Sequence, residues 1–226
     1  KEQAFNILYS PGQPNIVRGV NGFEWWLVYM ANKNAEMRGQ YVNRIHFFDK
    51  ELYVDGITDC SSEGYHPEPS LPTWKDNFDN EVESVLKWNW INQDDWSIEN
   101  GELKGKSISS LSCAFVNNVI ASQTYLFETG INPDGNSGII VWWKDNQNHI
   151  RLGLDKIRHT WYLLTCLQGK NSRKDFKLPS DFKWKSYHSM RVERNMNQLL
   201  VWIDEIPAVG QSCFTDLPYD SSIPGI

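Results

Sequence analysis

Two groups of side chains in this sequence have chemistry to offer: eleven tryptophans and twenty-eight carboxylates. Paired carboxyls can hydrolyse a glycosidic bond when one is protonated, the other is ionised, and an inverting pair stands about 6.5–9.5 Å apart. The candidates are Glu24, Glu36, Asp49, Asp94, Asp95, Glu99, Asp145, Asp155, Glu193 and Asp204. Most fall at turns or alternate with apolar residues, the pattern of a solvated strand face. Asp94-Asp95 precedes Trp96, but neighbours on a strand point to opposite faces. No catalytic residue is therefore assigned.

The tryptophans say more. Trp88 and Trp90 are two apart and share one strand face, whereas Trp25-Trp26 and Trp142-Trp143 must split between faces. One member of each adjacent pair then packs in a core. The other is exposed, covered by another module, or lines a groove. A flat ring can stack on the C–H face of a sugar, so Trp88, Trp90, Trp142 and Trp143 are the aromatic candidates for substrate binding. His46, His66, His149, His159 and His188 are scattered and show no ligand spacing, so they read as structural or solvated. Four cysteines (Cys60, Cys113, Cys166, Cys213) form no Cys-x-x-Cys or Cys/His cluster, so no zinc site is expected. Cys113 and Cys166 sit in apolar runs and read as small buried residues.

Those side chains sit on short β elements. Runs of β-branched and aromatic residues recur between turn residues, at Ile16–Arg18, Trp25–Ala31, Tyr41–Phe48, Leu52–Val54, Trp96–Glu99, Glu102–Gly105, Val119–Thr129, Gly138–Lys144, His149–Leu154, Trp161–Leu167, Ser189–Glu193 and Leu199–Asp204. Asn21-Gly22, Asn100-Gly101, Asp145-Asn146 and Asn195 to Asn197 are hairpin signals. No window carries a 3.6-residue period, so long helices are not expected. Residues 58–73 hold Pro67, Pro69 and Pro72 and read as a stiff linker between residues 1–57 and 74–226. The first part makes one antiparallel sheet with a face to cover, as in one blade of a radial array. The second has the strand spacing of a β-sandwich.

The net charge of −6, with no Lys/Arg block, argues against nucleic acid or anionic membrane as partner. No apolar run reaches the 18 or so residues of a membrane span. The chain begins Lys1-Glu2-Gln3 without an initiator Met, so a removed leader or a longer parent is expected.

Ser10-Pro11-Gly12-Gln13-Pro14-Asn15-Ile16-Val17-Arg18-Gly19, then Gly22-Phe23-Glu24-Trp25-Trp26-Leu27-Val28-Tyr29, resembles the last blade of the five-bladed propeller of glycoside hydrolase family 43. Met37 to Phe48 and Leu52-Tyr53-Val54 are similar to its next two strands. Asp76-Asn77-Phe78-Asp79, Leu86-Lys87-Trp88-Asn89-Trp90, Trp96-Ser97-Ile98, Gly101-Glu102-Leu103 and Gly138 to Trp143 follow in the order seen in the concanavalin A-like sandwich of β-xylosidase and arabinofuranosidase members.

The resemblance implies an all-β chain: a concanavalin A-like β-sandwich (jelly roll) preceded by one antiparallel blade-like sheet of a β-propeller. It implies the C-terminal part of a secreted or periplasmic glycosidase acting on plant-type polysaccharides, with its catalytic carboxylates on propeller blades absent from this chain. The partners implied are a poly- or oligosaccharide and those missing blades. Gln13 stands where the family has a His near the active site, and Met30 where it has a His after Val-Tyr. Arg38 matches an Arg the family places near substrate hydroxyls, with Arg44 competing for the match; a guanidinium can bridge two of them. No cofactor is required. Sandwiches of this type sometimes hold a structural calcium, for which Asp79 and a late residue such as Asp204 or Asp216 are the candidates. Alternatives are a non-catalytic carbohydrate-binding module or scaffold, and a homo-oligomer pairing its N-terminal sheets.

On this reading the chain leaves aryl xylosides and arabinosides unhydrolysed. Turnover that disappears when one of its own carboxylates is replaced would overturn the expectation.

Overall fold

The computed structural model describes residues 8–22, 24–32, 37–48, 51–55, 70–106 and 111–226. Glu36, Asp49, Cys60, His66 and most of the expected linker lie outside these residues. The chain divides into two compact units, residues 1–75 and 76–226.

The first unit is an antiparallel meander, β1 (Tyr9–Arg18), β2 (Trp25–Asn32), β3 (Arg38–Phe48) and β4 (Glu51–Val54), paired in that order. Pro11, Gly12 and Pro14 break the ladder of β1, whose register shifts on both sides of Gly12. Ser10 and Gln13 take positive φ there. Glu24, buried just before β2, accepts from the Ser70 amide (3.0 Å) and hydroxyl (2.9 Å) and pairs with Arg44 (3.4 Å).

The second unit opens on a knot around Asp76. Its carboxylate accepts from the Phe78 amide (3.1 Å), the Ser84 hydroxyl (2.8 Å) and the Trp88 indole (2.9 Å). Asn80 caps α1 (Glu81–Lys87) by accepting from the Glu83 amide. Twelve or more periodic residues were needed to read a helix from sequence, and this one has seven.

Next come β5 (Trp88–Ile91), the hairpin β6 (Trp96–Glu99)–β7 (Glu102–Gly105), β8 (Cys113–Val116) and β9 (Thr124–Ile131). The β6–β7 turn places Asn100 and Gly101 at φ 56° and 75°, as its Asn-Gly signal requires. The chain continues through β10 (Asn136–Asp145), β11 (Asn148–Asp155), β12 (Thr160–Leu167), β13 (Lys170–Lys177), β14 (His188–Asn195), β15 (Gln198–Ile203), β16 (Ile206–Pro207) and β17 (Cys213–Phe214).

These strands form a sandwich. One sheet runs β16-β15-β14-β9, with β17 also on β15; the other runs β10-β11-β12-β13. The last residues extend the second sheet to β5 and β8. Ala114 and Ile226 exchange backbone hydrogen bonds at 2.8 and 2.9 Å, and Ile140 and Gly225 do so at 2.8 and 3.1 Å. The tail thus fills the slot between β8 and β10. A side chain at Gly225 would meet the Ala114 carbonyl at 2.6 Å, so only glycine fits there.

The core lies between the sheets, where Leu152, Leu154, Trp161, Met190, Val192, Leu199 and Val201 are all about 1% exposed or less. Trp161 stacks on Phe176 (4.3 Å) and meets Phe214 edge-on (6.1 Å). The expected all-β architecture holds. The strands not anticipated are β8, β13 and the short β16 and β17. β13 reads Lys-Asn-Ser-Arg-Lys-Asp-Phe-Lys because it is an edge strand with little but Phe176 for the core. Cys113 and Cys166 are buried free thiols, as anticipated, and Cys213 is exposed.

Two buried indoles differ in one bond. The Trp88 N–H donates to Asp76, while the buried Trp142 N–H has no acceptor. W88F is therefore expected to cost about 1–3 kcal/mol more stability than W142F, because it strips a donor from a buried carboxylate. Urea denaturation of the two variants measures the difference; equal losses would refute it.

Candidate functional site

The residues singled out in the sequence scatter. Gln13 is exposed on the β1 bulge, and the Arg38 guanidinium lies over Gly12, 3.2 Å from where a Cβ would stand. Beside them a concavity of about 390 Å³ is lined by Gly12, Pro14, Leu27, Tyr29 and Asn43 among others. The Tyr29 hydroxyl donates to Asn43 (2.8 Å).

Trp88 and Trp142 are 5% and 3% exposed, so neither offers a ring face to a sugar. Both leave the sugar-stacking set: Trp88 is built into the Asp76 knot and Trp142 into the core. Trp90 is half-buried between Trp88 and Trp96, with centroids at 6.3 and 6.0 Å. Asp79 is exposed and accepts from Asn77. Asp204 accepts from His188 Nδ1 (2.8 Å) and the Ser189 amide (3.1 Å). Among the described residues no group of three or more His, Cys, Asp or Glu is arranged to hold a metal ion.

The structure assembles a different set on the face of the β10–β13 sheet opposite the core. Side chains alternate along a strand, and directly paired residues share a face. Leu152 and Leu154 point inward with Leu163 and Trp161. His149, Arg151, Gly153 and Asp155 therefore line the outer face of β11. Beside them stand Cys166, Leu164, Tyr162 and Thr160 of β12, and then Asn171, Arg173, Asp175 and Lys177 of β13. On the other side, Trp143 pairs with His149 and Ile140 with Arg151. Trp143 is half-buried, 5.1 Å from the ring of Phe115 and 5.3 Å from that of His149. It is the sequence-predicted tryptophan that joins this face, packed against the Cys113, Phe115 and Ile140 cluster.

One end of the face is a charge-paired block. Arg173 donates to Asp155 (2.6 Å) and to Asp175 (2.9 Å from Nε), and Thr160 donates to Asp175 (3.0 Å). The Arg158 amide donates to Asp155 (3.1 Å). The Arg173 guanidinium lies 3.9 Å over the Tyr162 ring. Tyr162 in turn covers Gly153, where a Cβ would strike the ring at 2.4 Å. Burial alone would raise the Asp155 carboxyl, but the hydrogen bonds from Arg173 and the Arg158 amide and the charges of both arginines hold it below its ordinary value. Asp175 is lowered chiefly by its hydrogen bond from Arg173.

The centre of the face is different. Arg151 is half-buried, its Nε is wholly buried, and it has no hydrogen-bond or ion-pair partner among the described residues. The buried Nδ1 of His149 is likewise unpartnered. Burial, and then the charge of Arg151, push His149 below its ordinary value. Burial raises the Cys113 thiol to about 11, against the opposing pull of Arg151. Burial also raises the Tyr162 phenol. The groups around Arg151 are thus neutral at pH 7.

This arrangement offers donors, rings and one uncompensated cation. It is poor for acid–base hydrolysis, which needs a carboxyl raised enough to hold a proton. Among the described residues every carboxylate with a resolved shift moves downward, Asp155 and Asp175 included. Sequence reasoning missed Arg151, Arg173 and Tyr162. The signal was the alternation through β11 and β12, which places them opposite the inward leucines.

No protein-family model matches the sequence, and no curated protein sequence matches it. By structure the chain is similar to a carbohydrate-binding module, CBM66, from Bacillus subtilis, with TM-score 0.50 and 15% identity over 62% of this chain and 85% of that one. It is also similar to SCLam, a non-specific endo-beta-1,3(4)-glucanase from family GH16, with TM-score 0.49 and 13% identity over 68% of this chain and 77% of that one. A Bacteroides ovatus protein, Xyloglucan PUL GH43B, gives TM-score 0.45 and 14% identity over 99% of this chain and 51% of that one. The first likeness identifies the sandwich as jelly-roll-like.

The charge-paired block has a consequence in acid. Asp155 and Asp175 titrate below their ordinary value of 3.8 when folded and return toward it when unfolded. Their contribution is fully present above about pH 4 and is lost as the pH falls through the folded values. D155N is expected to lose about 2–4 kcal/mol at pH 7, because it strips charge from a buried pair. Its stability should then fall less steeply than the wild type's between pH 4 and 3. Urea denaturation across that range tests both, and parallel acid limbs would refute the assignment.

Proposed function

We propose that the sandwich is a carbohydrate-binding domain whose ligand lies across the outer face of β10–β13. The observation that carries this reading is a half-buried indole, Trp143, set beside the unpaired Arg151 on an otherwise well-packed face. Aromatic rings beside directional polar groups are what a sugar needs: apolar C–H faces stack, and hydroxyls take the hydrogen bonds. The shared fold with a carbohydrate-binding module is in keeping with it.

The finer reading rests on the sequence resemblance. In it, β1–β4 are the terminal blade of a family 43-like propeller. The parent is a glycosidase acting on β-xylosides or α-L-arabinofuranosides of plant-type polysaccharides, secreted or periplasmic, with its acid and base on other blades. Gln13 and Arg38, both at the Gly12 end of β1–β3, would face substrate there. A free-standing carbohydrate-binding module is the second reading, in keeping with the fold shared with such a module.

Isothermal titration of the whole chain against xylan, arabinan and their oligosaccharides tests the proposal. W143A is expected to weaken binding at least about tenfold, a loss of about 1.4 kcal/mol, while W142F leaves affinity unchanged. Silence toward all glycans, or full affinity in W143A, would overturn it.

A further inference from the structure

Charge on the outer face is paired everywhere along the Asp155–Arg173–Asp175 block and unpaired at Arg151. Arg158 and Arg173 pair with Asp155 and Asp175 there, which leaves Arg151 with no acidic partner among the described residues. A half-desolvated guanidinium without a counter-ion is costly to keep, and its planar fork matches a carboxylate in two parallel hydrogen bonds. Its paired neighbours Ile140 and Leu164 are apolar, and Cys113, His149 and Tyr162 are uncharged at pH 7, so none of these side chains supplies a counter-charge.

Resting on the reading of this face as a sugar site, we propose that its ligand carries a uronic acid, with Arg151 receiving the carboxylate and Trp143 the sugar ring. Trp143 pairs with His149 across β10 and β11, and Arg151 follows two residues further along β11. Diagonal positions of this kind stand about 7–8 Å apart on one face. That separation suits one sugar ring on the indole with its C6 carboxylate reaching the guanidinium. A neutral sugar would leave Arg151 without its counter-charge.

The test compares trigalacturonate with its methyl ester, which keeps the shape and removes the charge, by isothermal titration of the whole chain at pH 7. The acid is expected to bind roughly ten- to a hundredfold more tightly than the ester, the scale of a charge-assisted bidentate pair. R151M should abolish that preference without lowering the unfolding midpoint, since it removes an unpaired cation. Should R151M fail to fold, R151K retains charge but loses the fork and should cut the preference several-fold. Equal binding of acid and ester, or a preference that survives these substitutions, overturns the proposal. Binding of neutral xylo- or arabino-oligosaccharides with no gain from the carboxylate sinks the uronate and leaves the sugar site standing. Failure of every glycan sinks both.

Discussion

The sandwich depends on how one buried arginine holds the tail. Arg194 on β14 is 1% exposed and donates to the carbonyls of Met196 (3.0 Å), Pro218 (2.6 Å) and Asp220 (2.7 Å). A buried guanidinium must be satisfied. Its bonds to Pro218 and Asp220 fix the path of residues 218–220. From there Ser222 accepts from the Trp143 amide (3.0 Å), and Gly225 and Ile226 close the seam between β8 and β10. The same clamp that completes the sheet therefore fixes the backbone of Trp143.

The outer face follows from two ordinary constraints acting together. Alternation forces every second residue of β11 and β12 away from the core, whatever its polarity. Polar groups placed there without full exposure must find partners, and most do, in the block around Arg173. Tyr162 fills the space left by Gly153 and gives Arg173 a ring to lie on. What is left over, Arg151 and the Nδ1 of His149, is unspent hydrogen-bonding capacity in a half-desolvated place.

Much of the architecture was readable from local patterns. The Asn100-Gly101 turn, the β2–β3 and β10–β12 runs and the apolar setting of Cys113 and Cys166 behave as their neighbours in sequence dictate. The Asp76 to Trp88 motif was legible as a motif, and its physical content is a carboxylate anchoring an indole twelve residues later. β13 was not legible, because an edge strand with polar sides carries no apolar period. The site was harder. The split of Trp142 from Trp143 followed from adjacency alone, but which of the two faced inward depended on the β10 bulge. Arg151 looks like any surface arginine until the register shows that no acidic residue stands opposite it.

The tail that seals β8 to β10 also sets the order of assembly. Ala114 and Ile226 are partners across more than a hundred positions of chain. Loop closure over such a span is entropically costly and comes late, and folds rich in distant pairings form slowly. Until that final pairing, β8 and β10 each present an open edge, the kind of surface on which chains join the wrong neighbour. The half-made sandwich is thus most vulnerable to aggregation until Gly225 and Ile226 pair, and that pairing acts as the stitch that ends the exposure.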